Sequence, residues 1–570
     1  MTDHPWLAHY DPGVPPTLEP YPRRTLLDYL DDGVRERPAH PAALFKGRAF
    51  TLEELQRASD AFAAALASLG VGRGDRVGAL LPNCPQFLIV EFAAWKLGAI
   101  FSPLNPIYTE DELVHPLSTS EPKVVVTLTP FYEGLKKAQP RTKLPRIVTT
   151  SIKEWFPPLL TVAFTLFTEW RDGHRVKRRD GDLAMAELLV RFDGQRPPAE
   201  RPAPDDAAVL LMSGGTSGEP KCVVGEHKDL IMSGLQLRAW LGDAIVPWTS
   251  IFMLPLPLFH AYGACAVQSL TIIGHNPLAL IPNPRDLNDV VKSLEKIQPV
   301  AFAGVPTLFS AMLNHPDVKS GKANFRSLKV CASGAAPLMA VTKRQFEEVC
   351  GVHIMEGYGM TESLIAAIVN PLKGPSKDGS IGMPLPDVDV RIVDADDPTK
   401  PAPALEVGEM LMRAPQIMKA YWRNPTATAE MLFTDADGVT WLRTGDLCRL
   451  DEDGYVFLVD RKKEVIKPNG MQVWPRELEE AIAMHPAVAQ VGVRGFPEAK
   501  HGEIAVAFVV LRPGMQATEA DIREFCKKHL AYYKVPAKVV FRDDLPKSLV
   551  GKVLRRMLTL EEPRPGAVRT

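Results

Sequence analysis

Paired cysteines are missing from this chain. Its seven cysteines (Cys84, Cys222, Cys265, Cys331, Cys350, Cys448 and Cys526) are odd in number, scattered, and free of any Cys-x-x-Cys or Cys/His spacing. That excludes a disulfide-stapled framework and a zinc module, and it reads as reduced thiols in a cytosolic protein. An excess of one charge is also missing. The chain has 66 Lys and Arg against 68 Asp and Glu, a formal net charge of −2, so the molecule as a whole has no bias toward nucleic acid. The most apolar run, 154–167, is too short and too broken by proline to span a bilayer. Met1-Thr2-Asp3-His4 lacks the layout of a secretory signal, and the expectation is a cytoplasmic protein. No Gly-x-Ser-x-Gly or Cys/His arrangement offers a protein nucleophile. No Walker loop is present either, because Glu219-Pro220 intervenes before Lys221.

What is present is an ordinary globular composition, 46% apolar and 24% charged, on 570 residues. That length exceeds one compact core and predicts at least two domains. From Arg461 to the end there are 20 Lys and Arg against 13 Asp and Glu, a net of +7, which leaves about −9 for the rest. A basic C-terminal piece suits polyphosphate chemistry. Helical spacing over 51–69 and 87–97 alternates with strand-like runs at 77–81, 98–101, 123–126, 209–212 and 251–255. Such alternation predicts a largely parallel, layered α/β body. The tail has its own strand–helix pattern over 475–541, enough for a small α+β domain. The expected division is residues 1–460 and 461–570, with the boundary near Asp460. The apolar stretch 154–167 precedes Arg171, His174, Arg175, Lys177, Arg178 and Arg179. The expected reading is a hairpin packed on the protein itself or on a second subunit. The rival is peripheral contact of 154–179 with the inner membrane face.

Four segments carry chemistry. Ser213-Gly214-Gly215-Thr216-Ser217-Gly218, followed by Lys221, has little side chain to pack, so backbone amides and hydroxyls can approach phosphate oxygens. Glu356-Gly357-Tyr358-Gly359-Met360-Thr361-Glu362 follows a strand-like run and exposes an aromatic face, a hydroxyl and a carboxylate together. Arg443-Thr444-Gly445-Asp446 ends on a carboxylate that can accept two hydroxyls. Lys552 lies in the small-residue loop Pro546-Lys547-Ser548-Leu549-Val550-Gly551.

In this order the four segments resemble the adenylate-forming enzymes: acyl-CoA synthetases, firefly luciferase and nonribosomal adenylation domains. The resemblance runs from Thr51-Leu52-Glu53-Glu54-Leu55 to Arg556 and is most specific over 437–480. It implies a large N-terminal α/β domain with mixed sheets and a small mobile C-terminal α+β domain. The implied substrates are ATP and coenzyme A, with Mg²⁺ on Glu362. Tyr358 and the Gly334-Ala335 segment would flank adenine, with Glu356 and Gly357 beside them. Thr361 would bond the α-phosphate, and Asp446 and Arg461 the ribose. Lys552 would bridge the carboxylate and the α-phosphate. His260, in Pro257-Leu258-Phe259-His260, would lie near the reacting carboxylate. Lys463 matches the family's hinge position, while Lys467 and Asn469-Gly470 match the face used in thioester formation. Two positions depart from the pattern: Gly214 replaces a hydroxyl and Cys222 replaces a glycine, and both point to a weaker grip on pyrophosphate.

The expectation is an AMP-forming long- or medium-chain fatty acid–CoA ligase, a homodimer by family precedent. A fatty acyl-AMP ligase, a CoA ligase for another carboxylic acid, and a catalytically weakened lipid-binding or scaffold protein remain as alternatives.

Overall fold

The computed structural model describes residues 4–197, 201–213, 220–365, 367–498, 502–548 and 551–560. Two large sheets form the N-terminal body. One orders its strands Leu183–Ala184, Arg146–Thr150, Val124–Leu128, Arg76–Leu80, Ile100–Pro103, Ala207–Met212 and Cys222–Glu226. All its neighbours are parallel except the last pair. The other has nine strands, and its middle, from Leu278–Leu280 through Phe252–Leu254, Ala301–Gly304 and Val330–Ser333 to Ile354–Tyr358, is parallel. Every residue of Val124–Leu128 is buried, as expected of a strand covered on both faces.

The helices follow their sequence signals. Thr51 and Glu54 make a reciprocal capping box for Leu52–Ser68, which buries Leu55, Phe62 and Leu66. Pro85–Lys96 is buried along its whole length. Its one cation, Lys96, reaches Asp60 at 2.6 Å.

A five-stranded antiparallel sheet follows, in which Thr440–Leu450 pairs with Val456–Arg461. Asp460 lies at the end of that last strand. Beyond it come helix Pro475–Ala483, strands Val488–Glu498 and Gly502–Leu511, helix Glu519–His529 and strand Lys538–Phe541. They enclose a separate small core that includes Leu478, Ile482, Val493, Val509 and Ile522. The strand expected at 98–101 lies two residues later.

The apolar stretch takes another form than the expected hairpin. Phe156 is buried and Trp155 and Phe164 pack against the main core, while residues 158–167 form a helix, Pro158–Phe167, with no fully buried residue.

Candidate active site

The parallel strands Ala301–Gly304, Val330–Ser333 and Ile354–Tyr358 run in register, Gly304 beside Ser333 and Ser333 beside Glu356. Their carboxyl ends therefore bring Gly304, Gly334 and Tyr358 to one edge, where open α/β sheets bind ligands. Little space is left for larger side chains there. A Cβ on Gly304 would lie 2.8 Å from the Phe309 ring, and one on Gly334 2.9 Å from Tyr262. Ala335 adopts a left-handed backbone, φ +68°, a conformation that costs a non-glycine residue about 1–3 kcal/mol and collects at ligand sites.

Tyr358 reaches across to the neighbouring sheet. Its hydroxyl donates to Asp446 Oδ2 at 2.6 Å, and Arg461 Nε meets Asp446 Oδ1 at 3.0 Å. Asp446 is buried, and its register partner on the adjacent strand is Arg461. Burial and the nearby Asp446 carboxylate hold the Tyr358 hydroxyl in its protonated, donating form.

Lys552 joins this cluster from the far end of the chain. The Ser548 hydroxyl accepts its amide at 3.1 Å, and Ser548 N–H donates to its carbonyl at 2.8 Å, which shapes the turn. Gly551 has φ +73°, and a Cβ there would run into the Thr307 hydroxyl. Gly551 is thus seated on the start of helix Pro306–Leu313. Burial, and next the Arg461 charge, push the Lys552 ammonium below the ordinary lysine range, opposed by Asp446.

Glu362 is buried in a tight turn with Thr361. One carboxylate oxygen accepts from the Tyr421 hydroxyl at 2.7 Å. The other has no hydrogen bond among the described residues. A single carboxylate completed by nucleotide phosphates is normal for Mg²⁺. The described residues hold no cluster of three or more His, Cys, Asp or Glu that would make an all-protein metal site. The residues present therefore fit the ion that the sequence implies.

The described residues flanking the glycine-rich segment bond to each other. Ser213 N–H donates to the Lys221 carbonyl at 2.8 Å, and Lys221 N–H to Ser213 Oγ at 3.2 Å. Gly214, Gly215, Thr216, Ser217 and Gly218 lie outside the described residues. Cys222 is not in the loop at all. It begins strand Cys222–Glu226, and its thiol packs with Ile100, Leu210 and Val224. Burial lifts that thiol to about 12.

His260 is half-buried, with a pKa pushed down to about 4 by burial. Its Nδ1 accepts the Tyr262 N–H at 3.3 Å, so the neutral ring carries its proton on Nε2.

Not every predicted residue converges. The Glu356 carboxylate is paired with Lys343 at 3.0 Å. Lys463, Lys467 and Asn469 are exposed on the segment that follows strand Val456–Arg461, where Asn469 turns the chain at φ +52°.

Sequence reasoning missed two positioning residues. Buried Asn83 donates to the Leu254 and Leu256 carbonyls and accepts Leu258 N–H, which fixes the approach to His260. Tyr421 holds Glu362, and its ring lies 5.0 Å from the Lys221 ammonium. Trp422 N–H donates to the Cys222 carbonyl at 2.7 Å, strapping this segment to the exit of the glycine-rich loop. A lone tyrosine in Ala420-Tyr421-Trp422 carries no local signal of that role.

Comparison with known proteins agrees with this geometry. The AMP-binding enzyme family profile matches residues 30–422, and the profile of its C-terminal domain matches 477–552. A long-chain-fatty-acid–CoA ligase of Bacillus subtilis is 34% identical over 99% of both chains. One of Escherichia coli O6:H1 is 34% identical over 97% of both. Among solved structures, ATP-bound MatB from Rhodopseudomonas palustris superposes with a TM-score of 0.80 at 27% identity, covering 94% of this chain and 98% of that one. A benzoate CoA ligase from Burkholderia xenovorans reaches 0.79 at 22%, covering 94% and 99%, a likeness of fold. The chain belongs to the AMP-binding enzyme family and is an AMP-forming acyl-CoA synthetase.

Proposed function

We propose that this enzyme joins long- or medium-chain fatty acids to coenzyme A, converting fatty acid, ATP and CoA to acyl-CoA, AMP and diphosphate through an acyl-adenylate. The observation that carries the reading is the convergence of Tyr358, Asp446, Arg461 and the half-buried Lys552, with Gly551 seated against Thr307. The acid class rests on the near full-length similarity to the two ligases named above.

A fatty carboxylate is already ionised at neutral pH, so it needs charge relief rather than a base as it attacks an anionic phosphate. Lys552 supplies that relief between the two reacting oxygens. Asp446 and Arg461 hold the ribose, and Tyr358 and the 334–335 segment hold the adenine. The neutral His260 donates Nε2–H to the carboxylate and orients it. Bound at Glu362, Mg²⁺ would offset the phosphate charge. Thioester formation then uses the exposed Lys467 and Asn469, with Gly470 next in the chain, after the C-terminal part turns about Lys463.

AMP release, measured across saturated acids of increasing length with benzoate and acetate as controls, tests the reading. The expected result is a CoA-dependent maximum at medium or long chains. A maximum at benzoate or acetate overturns the fatty-acid assignment, and AMP formation indifferent to CoA overturns the ligase assignment.

Tyr421→Phe isolates the hydroxyl, because the ring beneath Lys221 remains. Partners one step removed from a metal typically change its affinity about ten- to hundredfold. Mn²⁺ binding to the ATP complex, read by electron paramagnetic resonance, is expected to weaken by that factor. Conversion of preformed acyl-adenylate to thioester is expected to be unchanged. Unaltered Mn²⁺ affinity would show that the hydrogen bond has only a packing role.

The depressed Lys552 ammonium sets a pH limit. The bridging role needs the charged form, which a lowered pKa loses earlier as pH rises. ATP–diphosphate exchange is therefore expected to fall on the alkaline side with a midpoint below the ordinary lysine value of about 10.4. The Lys552→Arg variant should lack that limb.

A further inference from the structure

Glu91 and Gln268 form a polar pair inside an apolar wall. Glu91 lies on helix Pro85–Lys96, is 3% exposed, and makes no ion pair among the described residues. Its carboxylate accepts the Gln268 side-chain N–H. The other end of that amide, Gln268 Oε1, is buried with no hydrogen-bond partner. A lone buried carboxylate and an orphaned buried acceptor are each costly. One proton on Glu91 removes both costs, because a carboxylic acid can donate to Gln268 Oε1 while accepting from Gln268 Nε2.

The surrounding elements bring no free cation to the pair. On the same helix Lys96 is bound to Asp60 at 2.6 Å. Helices Leu26–Glu36 and Leu52–Ser68 keep Arg35 and Arg57 exposed and paired with Asp32 and Asp193. From helix His227–Leu241, Arg238 is bound to the Leu270 carbonyl and to Asn276 Oδ1, and Asp229 is itself raised to about 8 by burial. Cys265 is neutral because burial raises its thiol. His275, beside Gln268 in a small cavity, is held neutral by burial, with Nε2 2.8 Å from the Tyr29 carbonyl. Burial raises the Glu91 carboxyl to about 8, opposed by the Gln268 hydrogen bond.

Gln268 ends a wide, π-wound helical stretch, Tyr262–Gln268, a rare geometry that gathers at functional sites. The stretch starts at His260, whose carbonyl accepts the Ala264 N–H at 3.0 Å. A Cβ on Gly263 would lie 2.3 Å from the Pro257 carbonyl oxygen, so the turn beneath His260 is tight. The Tyr262 ring packs on Gly334 at the adenine edge. A shift of this helix would therefore be felt on both sides of the reacting centre.

We propose that Glu91 carries its proton at neutral pH and, joined to Gln268 by two hydrogen bonds, is a positioning residue that holds helix 262–273, and with it His260, against the acid. Ionisation would replace one of those bonds by repulsion between the carboxylate and Gln268 Oε1. The proposal rests on the placement of the acid at His260 and is independent of which acid is activated.

The KM for the acid that turns over best in the AMP-release series tests it. Around a midpoint of about 8, the protonated fraction falls about tenfold between about pH 7 and about pH 9, and the wild-type KM should rise by that factor. E91Q can pair with Gln268 without a proton, so it should match wild type at neutral pH and lack the rise. The infrared difference spectrum of wild type against E91Q should show a protonated carboxyl at neutral pH. Parallel KM profiles in the two enzymes overturn the proposal, and so does absence of that band. H260A, measured alongside, tells which reading has failed. If it raises KM while the profiles stay parallel, the acid lies at His260 and only the role of Glu91 falls. If it leaves KM unchanged, the placement of the acid falls and takes the proposal with it.

Discussion

Lys552→Ala is expected to lower ATP–diphosphate exchange by at least about 10²–10³-fold, the usual cost of removing one preorganised group from a developing charge. Thioester formation from preformed acyl-adenylate should survive, because the role proposed for the lysine is confined to the first chemical step. Lys467→Ala should show the opposite pattern. The two belong in one test because half-buried Lys552 lies within the fields of Asp446, Arg461 and Glu464, while Lys467 is exposed. Rapid-quench measurement of each half-reaction is the check. Loss of the same half-reaction in both variants would refute alternation of the C-terminal part between two working states.

Arg555→Ala is expected to destabilise the 461–560 region by about 3–5 kcal/mol, the typical cost of breaking a buried ion pair, since it strands the buried Asp460 and two half-buried glutamates. Arg555 meets Asp460 at 2.9 Å and Glu479 at 2.6 Å, and also pairs with Glu464. Burial raises Glu479 above the ordinary carboxylate range even with the arginine beside it. Without that cation the folded-state pKa rises further above the unfolded value. The proton then stabilises the fold at low pH and is lost as pH rises. Scanning calorimetry should therefore show a lower transition for the variant near neutral pH and a smaller deficit near about pH 5. An unchanged transition at neutral pH would mean that the network contributes nothing net. Because Asp460 also accepts Arg476 N–H at 2.8 Å, the same network fixes the chain where it leaves the five-stranded sheet.

Much of this protein was legible in its sequence, because its chemistry sits in short contiguous segments. Gly357 to Glu362 needs only a strand end to present a ring, a hydroxyl and a carboxylate, and the alternation of helical and strand spacing gave the layered α/β class. The Cys222 departure read as a defect of the phosphate loop, yet the residue belongs to a strand and packs inward, since antiparallel pairing with Met212 sets its side. Of the apolar stretch 154–167, Phe156 packs inward as read, but Leu159, Leu166 and Phe167 do not, because hydrophobicity reports the cost of exposure, not whether a partner surface lies within reach.

The sequence by itself determined the reaction class and the fold class. Only the tertiary structure decided that Asp446 is shared by Tyr358 and Arg461, that Tyr421 holds Glu362 across 59 positions of chain, and that Arg555 gathers three carboxylates. It also decided that Leu159, Leu166 and Phe167 face outward. The physical reason is that a side chain's identity and neighbours are local, whereas a hydrogen bond, an ion pair or a burial depends on which distant backbone the fold brings within about 3–4 Å.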